Sequence, residues 1–143
     1  MAYATSEDLA ARLAGETLVL LADDDGDGAA DATVTSAALE DASAEIDHAL
    51  RGRYATPVTE PPEIMRRWCV DLAVARLFIR KREAMSSEYA DAAALARKAL
   101  AAIADGATGL AGAKPWAGDM ASENTRRERP AAGRHDDCDL RLF

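Results

Sequence analysis

LLADDDGDGAADATVTSAALEDASAEIDHALRGRYATPVTEPP, residues 20–62, holds the features from which an all-helical fold follows. It opens with an acidic Asp-Gly loop: Asp23, Asp24, Asp25, Gly26, Asp27, Gly28 and then Asp31. Beyond the loop, Leu39, Ala42, Ile46, Ala49, Leu50 and Tyr54 recur at spacings of three and four. That period predicts an amphipathic helix starting near Thr35 or Ser36 and running to about Tyr54. Gly52, close to its end, suits a C-terminal cap or fraying. Pro57, Pro61 and Pro62 then stop helix formation and enforce an extended crossing, with Pro62 suited to the first turn of the next helix.

Working outward gives a helix on every side of this stretch. Upstream, a first helix starts at Thr5 or Ser6, with Ser6 as the favoured cap and Glu7 and Asp8 at the positive end of the helix dipole. It carries Leu9, Ala10 and Leu13 and ends near Gly15. A second, Glu16 to Ala22, has Leu18, Val19, Leu20 and Leu21 in a row, which predicts burial on nearly every side. Downstream, a fourth helix from Pro62 to Arg82 places Ile64, Met65, Trp68, Leu72, Ala75, Phe78 and Ile79 at helical spacing and reads as the core. Arg67 and Asp71 stand four apart on it. Arg76 and Arg80, also four apart, repel each other on an isolated helix and so call for acidic neighbours. The fifth helix, Ser87 to Ala104, has nine Ala within residues 90–104, with Leu95, Leu100 and Ile103 facing inward. After Asp105 the residues Gly106, Gly109, Gly112, Pro115, Gly118, Pro130 and Gly133 break any period. The expected fold is all-α: a small bundle of about five helices over residues 1–105, followed by an extended C-terminal arm over 106–143.

Totals narrow the function. At 143 residues the chain has room for one domain with a modest core. Its net charge of −8 is uneven. Residues 1–58 carry twelve acids against three bases, 59–105 seven against eight, and 106–143 six of each. Tight DNA binding needs clustered Lys and Arg that release counterions, so this balance argues against it. An acidic wall instead repels phosphate and lets DNA pass. Cys69 sits in an apolar helix and reads as a small core residue. A Cys69–Cys138 disulfide stays open, though nothing at MAYATSEDL resembles a secretory signal. No segment approaches eighteen apolar residues, so a soluble protein made in a bacterial cytoplasm, without a membrane partner, is expected.

Candidate sites are few. Asp23, Asp25, Asp27 and Asp31 fall at positions 1, 3, 5 and 9 of a calcium loop, with Gly28 at the sharp turn and the Ala29 carbonyl at position 7. Position 12 is Val34, where a bidentate Glu normally closes the shell. Calcium is therefore a candidate ligand and no cofactor is required; a solvated Asp-Gly turn is the competing reading. His135-Asp136-Asp137-Cys138-Asp139 has metal-capable side chains, but consecutive residues rarely wrap one ion. His48 has no nucleophile arrangement around it, and no phosphate-binding glycine motif occurs. The chain is not expected to be an enzyme. In the arm, Trp116, Leu140, Leu142 and Phe143 are apolar anchors, and Arg126, Arg127, Arg129 and Arg134 form a basic cluster. Together they read as a partner-binding segment that orders on a neighbouring subunit or another protein. The arm is neutral overall, which favours a protein surface over DNA.

The order of these features resembles a known family. Tyr3-Ala4-Thr5-x-x-Asp8-Leu9, the Asp-Gly loop, DASAEID (Asp41–Asp47), Gly52-Arg53-Tyr54 before the Pro segment and the long helix that follows are similar to the neck proteins of Mu-like phages and prophages. These are head–tail connectors of the adaptor or head-completion type. The likeness covers residues 2–105. It implies a virion structural protein in the neck, forming a homo-oligomeric, dodecameric ring. It further implies contacts to the portal protein on one side and tail terminator or tail-completion proteins on the other, with double-stranded DNA passing through the channel unbound. Two alternatives remain at this stage: a soluble calcium-binding regulatory or adaptor module, and a helical enzyme subunit whose catalytic residues lie on a partner.

Overall fold

The computed structural model describes residues 2–115, and among these five helices follow in order. They are α1 (Ser6–Arg12), α2 (Gly15–Ala22), α3 (Ala32–Leu50), α4 (Glu63–Lys81) and α5 (Ser87–Ala104). No strand occurs among them; a single bridge joins Tyr54 to Pro115. The all-α expectation is met.

α1 is short because its signals are local. Thr5, not Ser6, is the N-cap: Thr5 Oγ1 accepts from the Asp8 N–H, and the Asp8 carboxylate accepts from the Thr5 N–H. Asp8, three residues on, completes this reciprocal pair and decides the cap in favour of Thr5. α2 buries Leu18 and Leu21 but leaves Leu20 at 57% exposure, so it is not apolar-packed on every side as its composition suggested. α3 starts at Ala32, ahead of the expected Thr35, and stops at Leu50, before Tyr54. At its end the Arg53 and Tyr54 N–H groups both donate to Leu50 O, which tightens the chain into a turn before the Pro segment.

α4 is the axis of the fold: it touches each of the other four helices. Met65, Cys69, Leu72, Ala73 and Leu77 are completely buried along it, each large side chain contributing roughly 2 kcal/mol of burial free energy. Pro62 stands at its N-cap position, and Arg82 closes it in the left-handed conformation at φ 57°. α3 and α5 pack on α4 and on each other, with Ala42, Ala93 and Ala96 buried where the helices approach. α1 lies across α3 and α4. Arg12 fastens it there, pairing with the nearly buried Asp71 at 3.1 Å and with Glu88 at 3.4 Å while lying 5.3 Å from the Tyr89 ring centre. Asp71 therefore serves Arg12, and not Arg67 four residues before it. Phe78 stacks on the same Tyr89, with ring centres 5.7 Å apart.

Three inward assignments fail. Ile64, Ile79 and Leu95 are 43%, 66% and 65% exposed. Each adjoins an inward stripe already filled by Met65, by Leu77 and Phe78, or by Ala93 and Ala96. Beyond α5, residues 106–115 return across the end of α3. Leu110 is buried, its N–H donates to the Tyr54 hydroxyl at 2.9 Å, and the Ala55 N–H donates to Lys114 O at 3.1 Å.

Candidate functional site

The acidic loop joins α2 to α3, and its own backbone organises it. Asp23 caps α2, and its two carboxylate oxygens accept from the N–H groups of Gly26 (2.6 Å) and Gly28 (2.9 Å). Asp25 accepts from Asp27 N–H at 3.1 Å, and Asp27 from Ala29 N–H at 2.8 Å. Gly26 and Gly28 adopt φ of 79° and 83°, the left-handed region that glycine enters without a Cβ penalty. The Gly28 N–H, aided by that of Gly26, holds the Asp23 carboxyl below its usual range despite some desolvation.

The five candidate calcium ligands separate. Carboxylate oxygens of Asp23, Asp25 and Asp27 lie within 4.8 Å of one another. Asp31 stands apart from that cluster: its carboxylate accepts from Asp24 N–H at 2.9 Å and its own N–H donates to Ala22 O, closing the neck of the loop. Ala29 enters through its N–H on Asp27. Val34, at the twelfth position, lies inside α3 and lines a surface groove. Three convergent oxygens can hold a cation weakly, and the loop's own hydrogen bonds close it by themselves.

Asp24 points to α4. It is ion-paired with Arg80, and with Lys81 Nζ at 2.9 Å; Lys81 Nζ also donates to Asp23 O at 3.1 Å. The Arg80 and Lys81 hydrogen bonds bring the Asp24 carboxyl down to about 2. The other half of the Arg76–Arg80 pair is answered by Glu45 on α3, which takes Arg76 and Arg97 at 2.7 Å each. Burial pushes Glu45 up, and the Arg97 and Arg76 hydrogen bonds more than offset it, leaving its pKa lowered. The acidic neighbours that two repelling arginines called for are thus Asp24 and Glu45. The sequence signal for them is the like-charge pair, which does not say which carboxylates answer it.

A second polar cluster had no sequence signal. The Tyr3 hydroxyl donates to the Asp47 carboxylate and accepts from Val58 N–H at 3.0 Å, while Tyr3 N–H donates to Ser43 Oγ at 2.9 Å. Ser43 Oγ donates to Leu39 O and lies 3.3 Å from Cys69 Sγ. Cys69 is the buried core residue expected, a free thiol whose pKa burial raises. This cluster pins the N-terminus and the Pro-rich crossing to α3.

Two of the grooves along α4 are lined in part by α5. One, of about 550 Å³ between α3, α4 and α5, is lined by Val34, Ala37 and Ile79 together with Arg76, Arg80 and Arg97. The other, of about 380 Å³ near the start of α4, includes Ile64, Trp68 and Leu95. Trp116, Arg126, Arg127, Arg129, Arg134, Leu140, Leu142 and Phe143, and the His135–Asp139 run, lie outside the described residues. Among the described residues no helix is long and apolar enough to cross a membrane.

Residues 3–127 match the family described as Bacteriophage Mu, Gp36. Gene product J of Escherichia phage Mu is 40% identical over 74 residues, an alignment covering 51% of this chain and 52% of that protein. The match thus spans about half the length of the curated relative. With most of its length inside the family match, this Mu-like phage protein belongs to the bacteriophage Mu Gp36 family.

Proposed function

We propose that the chain is a virion structural protein, the head–tail connector (neck or adaptor) subunit of a Mu-like phage or prophage. In this reading copies close into a dodecameric ring between portal and tail-completion proteins, and the genome passes through its channel. The protein is made in the host cytoplasm and resides in the neck; it carries out no catalysis. The observation that carries the reading is the pair of apolar pads at opposite ends of α4, in a chain of this phage family. Ile64, with Leu95 on α5, marks one end and Ile79 the other, about 22 Å along the helix by its rise per residue. A ring subunit needs two different, mutually complementary faces, since head-to-tail contacts generate closed rings. The acidic surface contributed by residues 1–58 suits a channel wall that phosphate does not stick to.

The test is deletion of the gene from an inducible prophage, with complementation in trans. Loss of the protein is expected to leave filled heads and finished tails that do not join. Wild-type chain should restore joining, while Leu95→Asp, folded by circular dichroism, should restore little. Normal joined particles without the protein would overturn the connector reading.

The calcium-binding adaptor is the second reading, favoured by the convergence of Asp23, Asp25 and Asp27. A sensor must change conformation on binding, so calorimetric titration with calcium alongside backbone NMR decides it. Binding without a conformational change makes the loop a structural site, and no binding removes the reading.

A further inference from the structure

The groove between α3, α4 and α5 has a specific chemistry. Three guanidiniums (Arg76, Arg80, Arg97) face one carboxylate (Asp41) in its lining, within a chain whose net charge is −8. The outer carboxylates are shared: Glu45 serves Arg76 and Arg97, and Asp24 serves Arg80 and Lys81. Arg76 Nε is buried and has no hydrogen-bond acceptor among the described residues. A buried donor left unmade is costly, so a shift of the Arg76 side chain toward an acceptor in the groove is favoured. Beside these cations stand the apolar surfaces of Val34, Ala37 and the largely exposed Ile79. The matching ligand is a short segment of carboxylates followed directly by apolar side chains.

This chain contains such a segment. Residues 136–143 read Asp136-Asp137-Cys138-Asp139-Leu140-Arg141-Leu142-Phe143. We propose that the chain's own residues 136–143 occupy this groove, with the Asp run on Arg76, Arg80 and Arg97 and the Leu and Phe side chains on Val34, Ala37 and Ile79. Reach allows it. Pro115 is held at Tyr54, just past the end of α3, and Leu50 at that end stands about 24 Å along the helix from Val34. The intervening residues 116–135 can span about 65 Å when extended. A tether of that length keeps the segment at high local concentration, which favours its own groove over that of a second molecule. The Ile79 pad is then covered in the free chain while the Ile64–Leu95 pad stays open, and a ring contact through Ile79 requires the segment to leave the groove. The inference does not depend on the connector reading.

Isoleucine methyl NMR on the full chain tests it, since Ile46, Ile64, Ile79 and Ile103 are the only isoleucines. A nitroxide placed on Cys138, with Cys69 fully buried and out of reach, is expected to erase most of the Ile79 signal and leave Ile64 intact. Replacing Asp136, Asp137 and Asp139 together by Asn should restore Ile79 without touching the helical domain. An undisturbed Ile79 signal overturns the proposal, as does broadening of Ile64 in its place or broadening that survives the triple substitution. Mixing isotope-labelled chain with spin-labelled, unenriched chain gives the last arm. Broadening of Ile79 in that mixture would assign the groove to a second copy and overturn the intramolecular occupancy.

Discussion

Two junctions on α3 use the same chemical groups under opposite conditions. At Tyr3, Ser43, Asp47 and Cys69, hydroxyl, carboxylate and thiol meet in the interior, with Tyr3 7% and Ser43 2% exposed. At Asp23–Asp31, carboxylates meet backbone N–H groups and two cations in open solvent. Each junction ties a non-helical segment to the helices: the N-terminus and Pro-rich crossing in one case, the α2–α3 connection in the other. Inside, a lost partner leaves the Val58 N–H or the Ser43 hydroxyl cut off from water. Outside, water replaces the partner at once. The first junction is therefore a structural commitment, and the second is a shape that its glycines hold more than its charges do.

The largest effect should come from the interior. Tyr3→Phe removes the hydroxyl that donates to Asp47 and accepts from Val58 N–H, and should cost about 1–3 kcal/mol in urea unfolding with an unchanged slope. The loop should respond next, and through its backbone. At Gly28 a Cβ meets nothing within 4 Å, yet φ is 83°, so Gly28→Ala should cost about 1 kcal/mol from conformation alone. A Gly28→Ala loss larger than that of Tyr3→Phe would erase the contrast.

pH separates the junctions by sign. Burial and the Asp47 hydrogen bond raise the Tyr3 pKa above its ordinary 10, so its contribution is whole below pH 10 and is lost as pH rises beyond it. Asp24 is lowered from 3.8 to about 2, so its contribution is present above pH 3.8 and is lost as pH falls through about 2. Thermal melts across pH should lose the alkaline limb in Tyr3→Phe and weaken the acid limb in Asp24→Asn. The smallest effect is Asp24→Asn at neutral pH. Because its pairs are exposed, the destabilisation should be visible at low ionic strength and vanish near 1 M salt.

Much of this architecture is legible in the sequence, and the failures have physical causes. Five helices in the right order follow from the acidic start at Glu7 and Asp8, the Leu18–Leu21 run, the helical spacing of Leu39–Tyr54 and of the segment after Pro62, and the nine Ala within residues 90–104. The repulsion between Arg76 and Arg80 foretold acidic partners without naming Asp24 or Glu45, which come from other elements. Ile64, Ile79 and Leu95 were assigned inward because periodicity marks a broad stripe and does not say which edge is filled first. In α5, alanine fills it: Ala93 and Ala96 let the helices approach and turn Leu95 outward. Asp31 fits a calcium loop by spacing, but the same residue precedes Ala32 at the start of α3, and the hydrogen bond to Asp24 N–H takes its carboxylate. The Tyr3–Asp47 contact spans 44 residues, and no local pattern announces a pair that the tertiary fold creates.

The central claim, a connector ring, is tested most directly by cryo-electron microscopy of intact particles carrying this protein. The expected result is a ring between portal and tail into which α3, α4 and α5 fit, with Ile64 and Leu95 at a contact between subunits or with the portal. A neck mapped to side-chain detail with no such five-helix domain in it would contradict the claim.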